Sequence, residues 1–273
     1  MITITKFVAR PISTDAAELS WQIQPASEDI FQYDFQVFRS ESPAGPWDTL
    51  SPKFKDKFYF IDNQMPPFNQ VRHLYYKITV SKGEATSSYT TKLGQLENRY
   101  AIEIARLNRV ALKVAVGLKL YVLPVRTFGA YCSCYDPVTG KRTVNECLSC
   151  YNTGYAGGYL TAIETYGMIT TPTKVTQEIP KGGGVEAEPL VTEIRLANYP
   201  LLKRGDIIVN PATNDRWRVA NVTTPTLAGM VVSQLCRCSL VDPSDIVYKV
   251  KLNIEDVFQL VEPVALLRSI SSY

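Results

Sequence analysis

Six cysteines are the residues of this chain whose type and spacing best suit a chemical role. Four of them form two close pairs, Cys132-Ser133-Cys134 and Cys147-Leu148-Ser149-Cys150, with twelve residues between the pairs. In a reducing cytosol, clustered pairs of this kind indicate metal ligands before disulfides. Four thiolates match the tetrahedral coordination of zinc, so we predict a structural zinc ion bound by Cys132, Cys134, Cys147 and Cys150.

Two other states of this cluster stay open from the sequence: a pair of disulfides, or buried thiols that bind nothing. A catalytic zinc is not expected, because four thiolates fill the coordination shell and leave no position for water. A redox role is not expected either, since the CxxC pair lacks the flanking βαβ pattern of thiol oxidoreductases. The expected task of the metal is to fold a small module that lacks a core of its own.

The remaining cysteines, Cys236 and Cys238, are spaced at i and i+2. In a strand, both side chains would therefore face the same side of the sheet. One interpretation is that they are two small hydrophobic residues of a sheet core. The other is an interface between subunits, either as an intermolecular disulfide or as half of a second metal site completed by another chain.

The composition is that of an ordinary globular protein, and it does not favour an enzyme. The chain has 273 residues, of which 45% are hydrophobic and 20% charged, with a net charge of +3 and one histidine, His73. Histidine-pair metal motifs are therefore excluded, and nucleophile-elbow, zinc-protease and P-loop motifs do not occur. No stretch has the length of a membrane span or the apolar core of a signal peptide. We expect no catalytic residues, no small-molecule substrate and no membrane partner.

Residues 1–92 show the two-residue alternation of strands with one buried face. The alternating positions fall in three segments: Leu19, Trp21 and Ile23; Phe31, Tyr33, Phe35 and Val37; and Leu74, Tyr76, Ile78 and Val80. Together with Val37-Phe38-Arg39-Ser40, the turn Ser42–Trp47 and Phe60-Ile61-Asp62, they resemble a fibronectin type III module. The resemblance implies a seven-stranded Greek-key β-sandwich with an adhesive or spacer role.

Residues 93–127 change to the period of a helix. Apolar residues recur at spacings of three and four, which predicts one buried stripe of an amphipathic helix ending at Gly117: Leu96, Tyr100, Ile104, Leu107, Ala111 and Val114. Four basic residues could contact DNA or an acidic partner: Arg99, Arg106, Arg109 and Lys113. The simpler interpretation is a solvated helix face, because one helix of modest charge is weak evidence for nucleic-acid binding. A strand is expected to follow, over residues 118–125.

The rest of the chain divides by pattern into a zinc module, a second β-rich region and a tail, over residues 128–160, 161–250 and 251–273. The clearest element of the β-rich region is a hairpin, in which Ile207–Val209 and Arg216–Val222 flank the turn Asn210–Asp215. Residues 170–190, with the triplet Gly182-Gly183-Gly184, are predicted to form a long exposed loop. The resemblance described next implies that the β-rich region is a small barrel. The predicted fold class is therefore mainly β: a sandwich, a linking amphipathic helix, a small four-cysteine zinc module and, after it, this small barrel.

The block from about Asn98 to Val250 resembles proteins encoded in the structural gene clusters of tailed bacteriophages. The resemblance rests on Arg126–Gly129, the two cysteine pairs with Tyr151–Tyr155, Asn198–Leu202, and the hairpin that follows Gly205-Asp206 and contains Trp217. This hairpin is similar to that of head-closure (stopper) and head–tail adaptor proteins, where it belongs to a small barrel that forms a ring under the portal. The resemblance implies a non-enzymatic virion protein that joins head and tail.

The partners implied by this resemblance are further copies of the chain in a ring, neighbouring phage proteins (portal, adaptor and tail terminator) and packaged DNA. The zinc segment and the N-terminal sandwich depart from simple stoppers, so neck, collar, tail and baseplate all stay open as the tier of the particle. A different hypothesis is a zinc-dependent module that binds nucleic acid or protein. A carbohydrate-active enzyme is less favoured; it is considered because fibronectin modules accompany such enzymes.

Overall fold

A computed structural model shows a mainly β protein and describes residues 2–13, 16–24, 30–66, 73–94, 99–170, 191–227 and 230–252. The strands of the N-terminal part are β1 (Ile4–Pro11), β2 (Ala17–Ile23), β3 (Asp34–Ser40), β4 (Asp48–Thr49), β5 (Tyr59–Asp62), β6 (Tyr75–Lys82) and β7 (Ala85–Lys92). The helix α1 (Arg99–Ala111) follows and continues into a π-helical turn, Leu112–Val116. The later strands are β8 (Leu118–Leu123), β9 (Tyr135–Asp136), β10 (Lys141–Arg142), β11 (Ile163–Thr170), β12 (Val191–Leu196), β13 (Ile207–Val209), β14 (Arg216–Thr223), β15 (Thr226–Leu227), β16 (Met230–Val231) and β17 (Gln234–Leu240).

The N-terminal strands form two antiparallel sheets that enclose one core. One sheet has the order β1–β2–β5 and the other the order β4–β3–β6–β7. The predicted alternation is confirmed in and beside β2, β3 and β6, where the expected residues are buried: Leu19, Trp21, Ile23, Tyr33, Phe35, Val37, Leu74, Tyr76, Ile78 and Val80. Phe31 was predicted wrongly, because it lies in a short 3₁₀ turn, Ile30–Gln32, and is 40% exposed.

Six strands close into an antiparallel barrel in the order β11–β12–β17–β14–β13–β8. Its interior is filled by inward-facing side chains, with Ile169 of β11 packed against them; the buried ones are Leu120, Val122, Ile194, Leu196, Leu202, Ile208, Trp217, Val219, Cys236 and Cys238. The predicted hairpin is confirmed, since Ile207 pairs with Arg218 and Val209 with Arg216. The barrel also includes β8, which the sequence pattern had assigned to the linker. The cysteine segment is therefore inserted within the barrel, between β8 and β11, and does not precede it.

Asp206 holds the start of the hairpin against the end of β8. Its carboxylate accepts the backbone N–H of Val125 at 2.8 Å and that of Lys203 at 2.6 Å. The preceding residue, Gly205, has φ +94°, a backbone conformation that would be strained for a residue with a Cβ. Burial raises the pKa of Asp206 to about 6, and the two backbone donors oppose this shift.

The helix buries a different face from the one predicted. The buried residues of α1 and its π-turn are Ala101, Ile102, Ala105, Arg109 and Leu112, whereas most of the predicted stripe is exposed. The helix contacts β16, and the side-chain amide of Asn108 donates to the carbonyl of Val232, the residue after β16, at 3.1 Å. Gly117 ends the helical segment as predicted, because a Cβ there would lie 2.2 Å from the carbonyl oxygen of Leu112.

The N-terminal sheets and the barrel share a buried junction. It contains Ile12, Tyr59 and Ile61 on one side and Ile163 and Tyr199 on the other. The side-chain amide of Asn198 donates to the carbonyl of Ile12 at 3.2 Å. These contacts attach the two halves of the chain to each other through apolar packing and a buried hydrogen bond.

Three of the sequence predictions concern residues outside the described ranges. They are the long loop with its glycine triplet (within 171–190), Leu96 of the helical stripe, and the tail beyond Leu252. Among the described residues, no helix combines the length and apolar character needed to cross a membrane.

Candidate metal centre

The four clustered cysteines come from two turns that face each other. The first turn carries Cys132 and Cys134, and the N–H of Tyr135 donates to the carbonyl of Cys132 at 2.9 Å. The second turn carries Cys147 and Cys150. A two-stranded hairpin of β9 and β10 separates them and folds the chain back, so that all four sulfur atoms lie within 4.8 Å of one another.

The distances between sulfur atoms suit four ligands around one ion. The Sγ atoms of Cys132 and Cys147 are 3.6 Å apart, and those of Cys134 and Cys150 are 3.4 Å apart. A bonded disulfide would bring two sulfurs to about 2.05 Å. A tetrahedral zinc ion with Zn–S near ~2.3 Å would place them about 3.8 Å apart. The predicted clustering of the four thiols is therefore confirmed, and the cluster could bind a metal ion.

The electrostatics of the cluster favour a cation at its centre. Burial raises the pKa of Cys134 and of Cys150. The thiol of Cys134 and the backbone N–H groups of Cys150 and Ser149 lower the pKa of Cys147 to about 6. Crowded thiolates repel one another in a buried site, and a divalent cation offsets that repulsion while taking the place of the lost protons.

The glycine-rich segment after the second pair lies against the cysteine turns. Gly158 has φ +68°, and a Cβ there would lie 2.6 Å from the carbonyl oxygen of Cys150. The N–H of Cys132 donates to the carbonyl of Gly154 at 2.9 Å. The side-chain oxygen of Asn152, a residue with φ +66°, accepts the N–H of Cys147 at 3.2 Å. Close backbone approach and positive φ explain why small or amide residues occupy these positions.

Three tyrosines form a stack beside the cysteine turns. The ring of Tyr131 lies between those of Tyr135 and Tyr155, with centroid distances of 5.5 and 5.2 Å. Parallel offset packing of this kind adds apolar contact to a segment that is otherwise mostly turn. The module thus has a small aromatic layer in addition to its cysteines.

The two ends of the cysteine module meet at the rim of the barrel. The N–H of Leu160 donates to the carbonyl of Pro124 at 2.8 Å, and the N–H of Arg126 to that of Gly158 at 3.0 Å. A β-bridge between Val125 and Tyr159 completes this neck. The module therefore leaves and re-enters the barrel at one point.

Arg126 connects the cysteine module to the N-terminal sheets, a contact that sequence reasoning missed. Its buried guanidinium forms an ion pair with Asp56 at 2.7 Å. The same group lies over the rings of Phe31 and Phe58, at 5.9 and 5.4 Å from their centroids. Burial raises the pKa of Asp56, and the charge and hydrogen bond of Arg126 oppose that shift. No local pattern around Arg126 marks it as buried, because its partners are distant in sequence.

The other two cysteines lie inside the barrel. Cys236 and Cys238 are fully buried in its core, and burial raises the pKa of each thiol to about 12. Both side chains face the same side of β17, as their spacing predicted. A second chain could reach these thiols only if the barrel opened.

Of the four basic residues proposed for DNA or acidic partners, the three whose side chains are described have different surroundings. Arg106 forms an ion pair with Glu103 at 2.7 Å, and Arg109 belongs to the buried face of α1. Lys113 lies 5.8 Å from the ring centroid of Tyr166. The side chain of Arg99 lies outside the described part of the structure.

Comparison of the chain with protein-family models, with curated protein sequences and with solved structures finds no match.

Proposed function

We propose that this chain is a structural protein of a tailed-phage particle and joins head and tail as one unit of a neck ring. The observation that carries the proposal is the closed six-stranded barrel, whose hairpin of β13 and β14 follows Gly205-Asp206. Small barrels with such a hairpin are the ring-forming element of stopper and adaptor proteins, which this region resembles. A closed barrel has no free sheet edge, so it is a rigid body suited to side-by-side assembly.

The ion of the cysteine cluster is, in this proposal, zinc. Its support is the donor set, which consists of four sulfur atoms within 4.8 Å of one another, with backbone N–H groups hydrogen-bonded to that of Cys147. Soft thiolate ligands in this geometry select zinc or iron over hard cations such as magnesium. With four protein ligands the ion has no open position, so its role is to fold the inserted module and not to catalyse a reaction.

The N-terminal sheets are, in the same proposal, a fibronectin type III-like spacer or adhesive module. Support comes from the pairing of three strands in one sheet and four in the other around a core that contains Trp21. Tyr76, near the start of β6, donates its hydroxyl to Asp62 at 2.9 Å. In related sandwiches a tyrosine at this corner bonds to the backbone upstream, so the position is similar although the acceptor differs.

Native mass spectrometry of the purified full chain, combined with metal analysis, tests both parts of the proposal. We expect a closed ring, formed alone or on addition of portal protein, with one zinc ion per chain. Cys147→Ser should lower the zinc content to well below one per chain. The matched control Cys236→Ala, a buried thiol outside the cluster, should keep the full zinc content.

The same measurement can overturn each part separately. A zinc-bearing monomer that joins no phage component and binds DNA in a salt-dependent manner would contradict the neck proposal and favour a nucleic-acid-binding module. A chain with oxidised cysteines and no metal would contradict the zinc site.

A further inference from the structure

The strand β7 forms one edge of the larger N-terminal sheet. It stands last in the order β4–β3–β6–β7 and pairs with β6 along all eight of its residues, without a bulge. On its other side it has no neighbouring strand in this sheet. β1 of the other sheet meets this edge near its end, where the N–H of Gly94 donates to the carbonyl of Ala9 at 3.4 Å.

Alternate residues of β7 direct their backbone groups away from β6. The N–H of Leu93, just after β7, donates to the residue that precedes β6, whereas the N–H of Gly94 donates to β1 on the opposite side. Since this direction alternates along a strand, the N–H and C=O groups of Thr86, Ser88 and Thr90 point away from β6. Within the described part of the chain, no hydrogen bond reaches these groups. β7 therefore presents a row of backbone donors and acceptors that matches a further strand.

The other edges of the two N-terminal sheets have features that discourage strand pairing. β1 contains a bulge between Ile4 and Lys6, and it ends at Pro11. β4 has two residues, and β5 has four, all of them buried. β7 has no bulge, and it has no proline or charged residue from Ala85 to Thr91. Because edge strands are normally protected by bulges, prolines, charges or short length, an unprotected edge indicates a surface for pairing.

The sequence of β7 is complementary to a second, antiparallel copy of itself. When a two-fold axis passes through Ser88, Thr86 of one copy lies opposite Thr90 of the other, and the outward N–H and C=O groups of all three residues are hydrogen-bonded. The same register places Glu84 of one copy opposite Lys92 of the other, at both ends of the contact. Both residues are exposed, and neither forms an ion pair within the described part of the chain. Registers centred on Thr86 or Thr90 satisfy fewer backbone groups and leave these charges unmatched.

We propose that β7 is a surface for self-association, on which a second copy of the chain adds its own β7 in antiparallel register about Ser88. The two sheets then form one continuous sheet of eight strands, four from each copy. Only one strand of each copy takes part, so the contact is smaller than a standard interface and we expect a dissociation constant in the micromolar range. The inference concerns β7 alone and does not depend on the neck proposal.

Ser88→Pro tests the proposal at the centre of the contact. Proline removes the outward N–H of residue 88, which the ladder with β6 does not use, so the fold of one chain should tolerate it. Sedimentation velocity of the full chain between about 1 and 200 µM should show dimerisation, and the variant should raise the dissociation constant by roughly tenfold or more. Ser88→Ala is the matched control, because it removes a hydroxyl and keeps the backbone N–H. The control should stay within about twofold of the unmodified chain.

The register has a second test that leaves the backbone of β7 unchanged. Glu84→Lys sets two lysines opposite each other at each end of the contact, so the dissociation constant should rise severalfold, and more strongly at low salt. Adding Lys92→Glu to this variant reverses the charges of the pair. The double variant should return the dissociation constant to within about twofold of that of the unmodified chain.

Two results would overturn the proposal. One is a chain that stays monomeric over the whole concentration range. The other is equal self-association of the unmodified chain and Ser88→Pro, which would assign the contact to another surface. Native mass spectrometry separates this outcome from that of the neck proposal. Where rings form, β7 pairing joins two of them, so Ser88→Pro should halve the number of copies in the particle; an unchanged number would contradict the role of β7 and leave the ring proposal intact.

Discussion

The carboxylate of Asp206 is buried between two segments that the barrel must hold together. It accepts N–H groups from Val125, two residues beyond β8, and from Lys203 before the hairpin. Burial raises its pKa to about 6 from an ordinary value of 3.8. The protonated carboxyl is thus favoured in the folded state, and its stabilising contribution is complete below pH 3.8 and is lost as the pH rises through about 6.

Asp206→Asn should remove this pH dependence. The free energy of unfolding of the unmodified chain, relative to that of the variant, is expected to fall by up to about 3 kcal/mol between pH 4 and pH 7. Urea denaturation at a series of pH values measures it. Asp242→Asn is the control: hydrogen bonds from Ser244 lower the pKa of Asp242, so its titration lies below 3.8. If the difference in free energy of unfolding between the unmodified chain and Asp206→Asn does not change with pH, the carboxylate is solvated in the folded state.

At the scale of residues, the sequence predicts contacts whose partners are close along the chain. The clustering of Cys132, Cys134, Cys147 and Cys150 could be predicted because short turns leave the two pairs little freedom, and the four sulfur atoms lie within 4.8 Å of one another. The burial of Leu19, Trp21 and Ile23 could also be predicted, because the alternation that indicates it lies within one short segment. The ion pair of Arg126 with Asp56 could not, since it depends on how two distant segments pack.

At the scale of elements, strands were predicted more accurately than the helix. A strand has two faces, and alternation decides which one is buried. The sequence of α1 has two faces with apolar residues, and hydrophobicity alone favours the face with Ile104 and Leu107. The structure instead buries Ala101, Ile102 and Ala105, because tertiary packing decides which of the two faces is covered.

Trp217 is the element-scale test of the barrel core. Its indole packs inside the barrel from β14, so Trp217→Ala should lower the free energy of unfolding by ~3–5 kcal/mol. The matched control is Leu240→Ala, since Leu240 pairs with Trp217 across the β14–β17 ladder but is 56% exposed. The control should cost less than about 1 kcal/mol. Chemical denaturation followed by far-UV circular dichroism compares them, and equal losses would contradict this account of the core.

At the scale of the whole molecule, the N-terminal sheets contact the rest of the chain in at least two places within the described residues. One is the apolar junction around Ile12 and Tyr199, and the other is the Arg126–Asp56 pair with Phe58 and Phe128 stacked edge to face nearby. The second place lies directly beside the cysteine module. We therefore expect the two halves to unfold together, with the ion pair as part of the coupling.

Arg126→Met should weaken this coupling, because it keeps apolar contact with Phe58 but leaves Asp56 without its cation. The side chain of Asp56 is 35% exposed, so water can solvate its charge in the variant. We therefore expect the free energy of unfolding to fall by about 2 kcal/mol, which is less than the cost of leaving a fully buried charge unpaired. Differential scanning calorimetry should show one transition in the unmodified chain and a broadened or split transition in the variant. Arg218→Met, which removes the exposed pair with Asp245, should leave the transition single.

The neck at which the cysteine module joins the barrel has a topological consequence. Because Pro124 and Leu160 are hydrogen-bonded neighbours, the chain enters and leaves the module at the same end of the adjacent antiparallel strands β8 and β11. The whole cysteine module is therefore an enlarged hairpin loop. Such a loop can be shortened, lengthened or replaced without a change in the strand order of the host barrel.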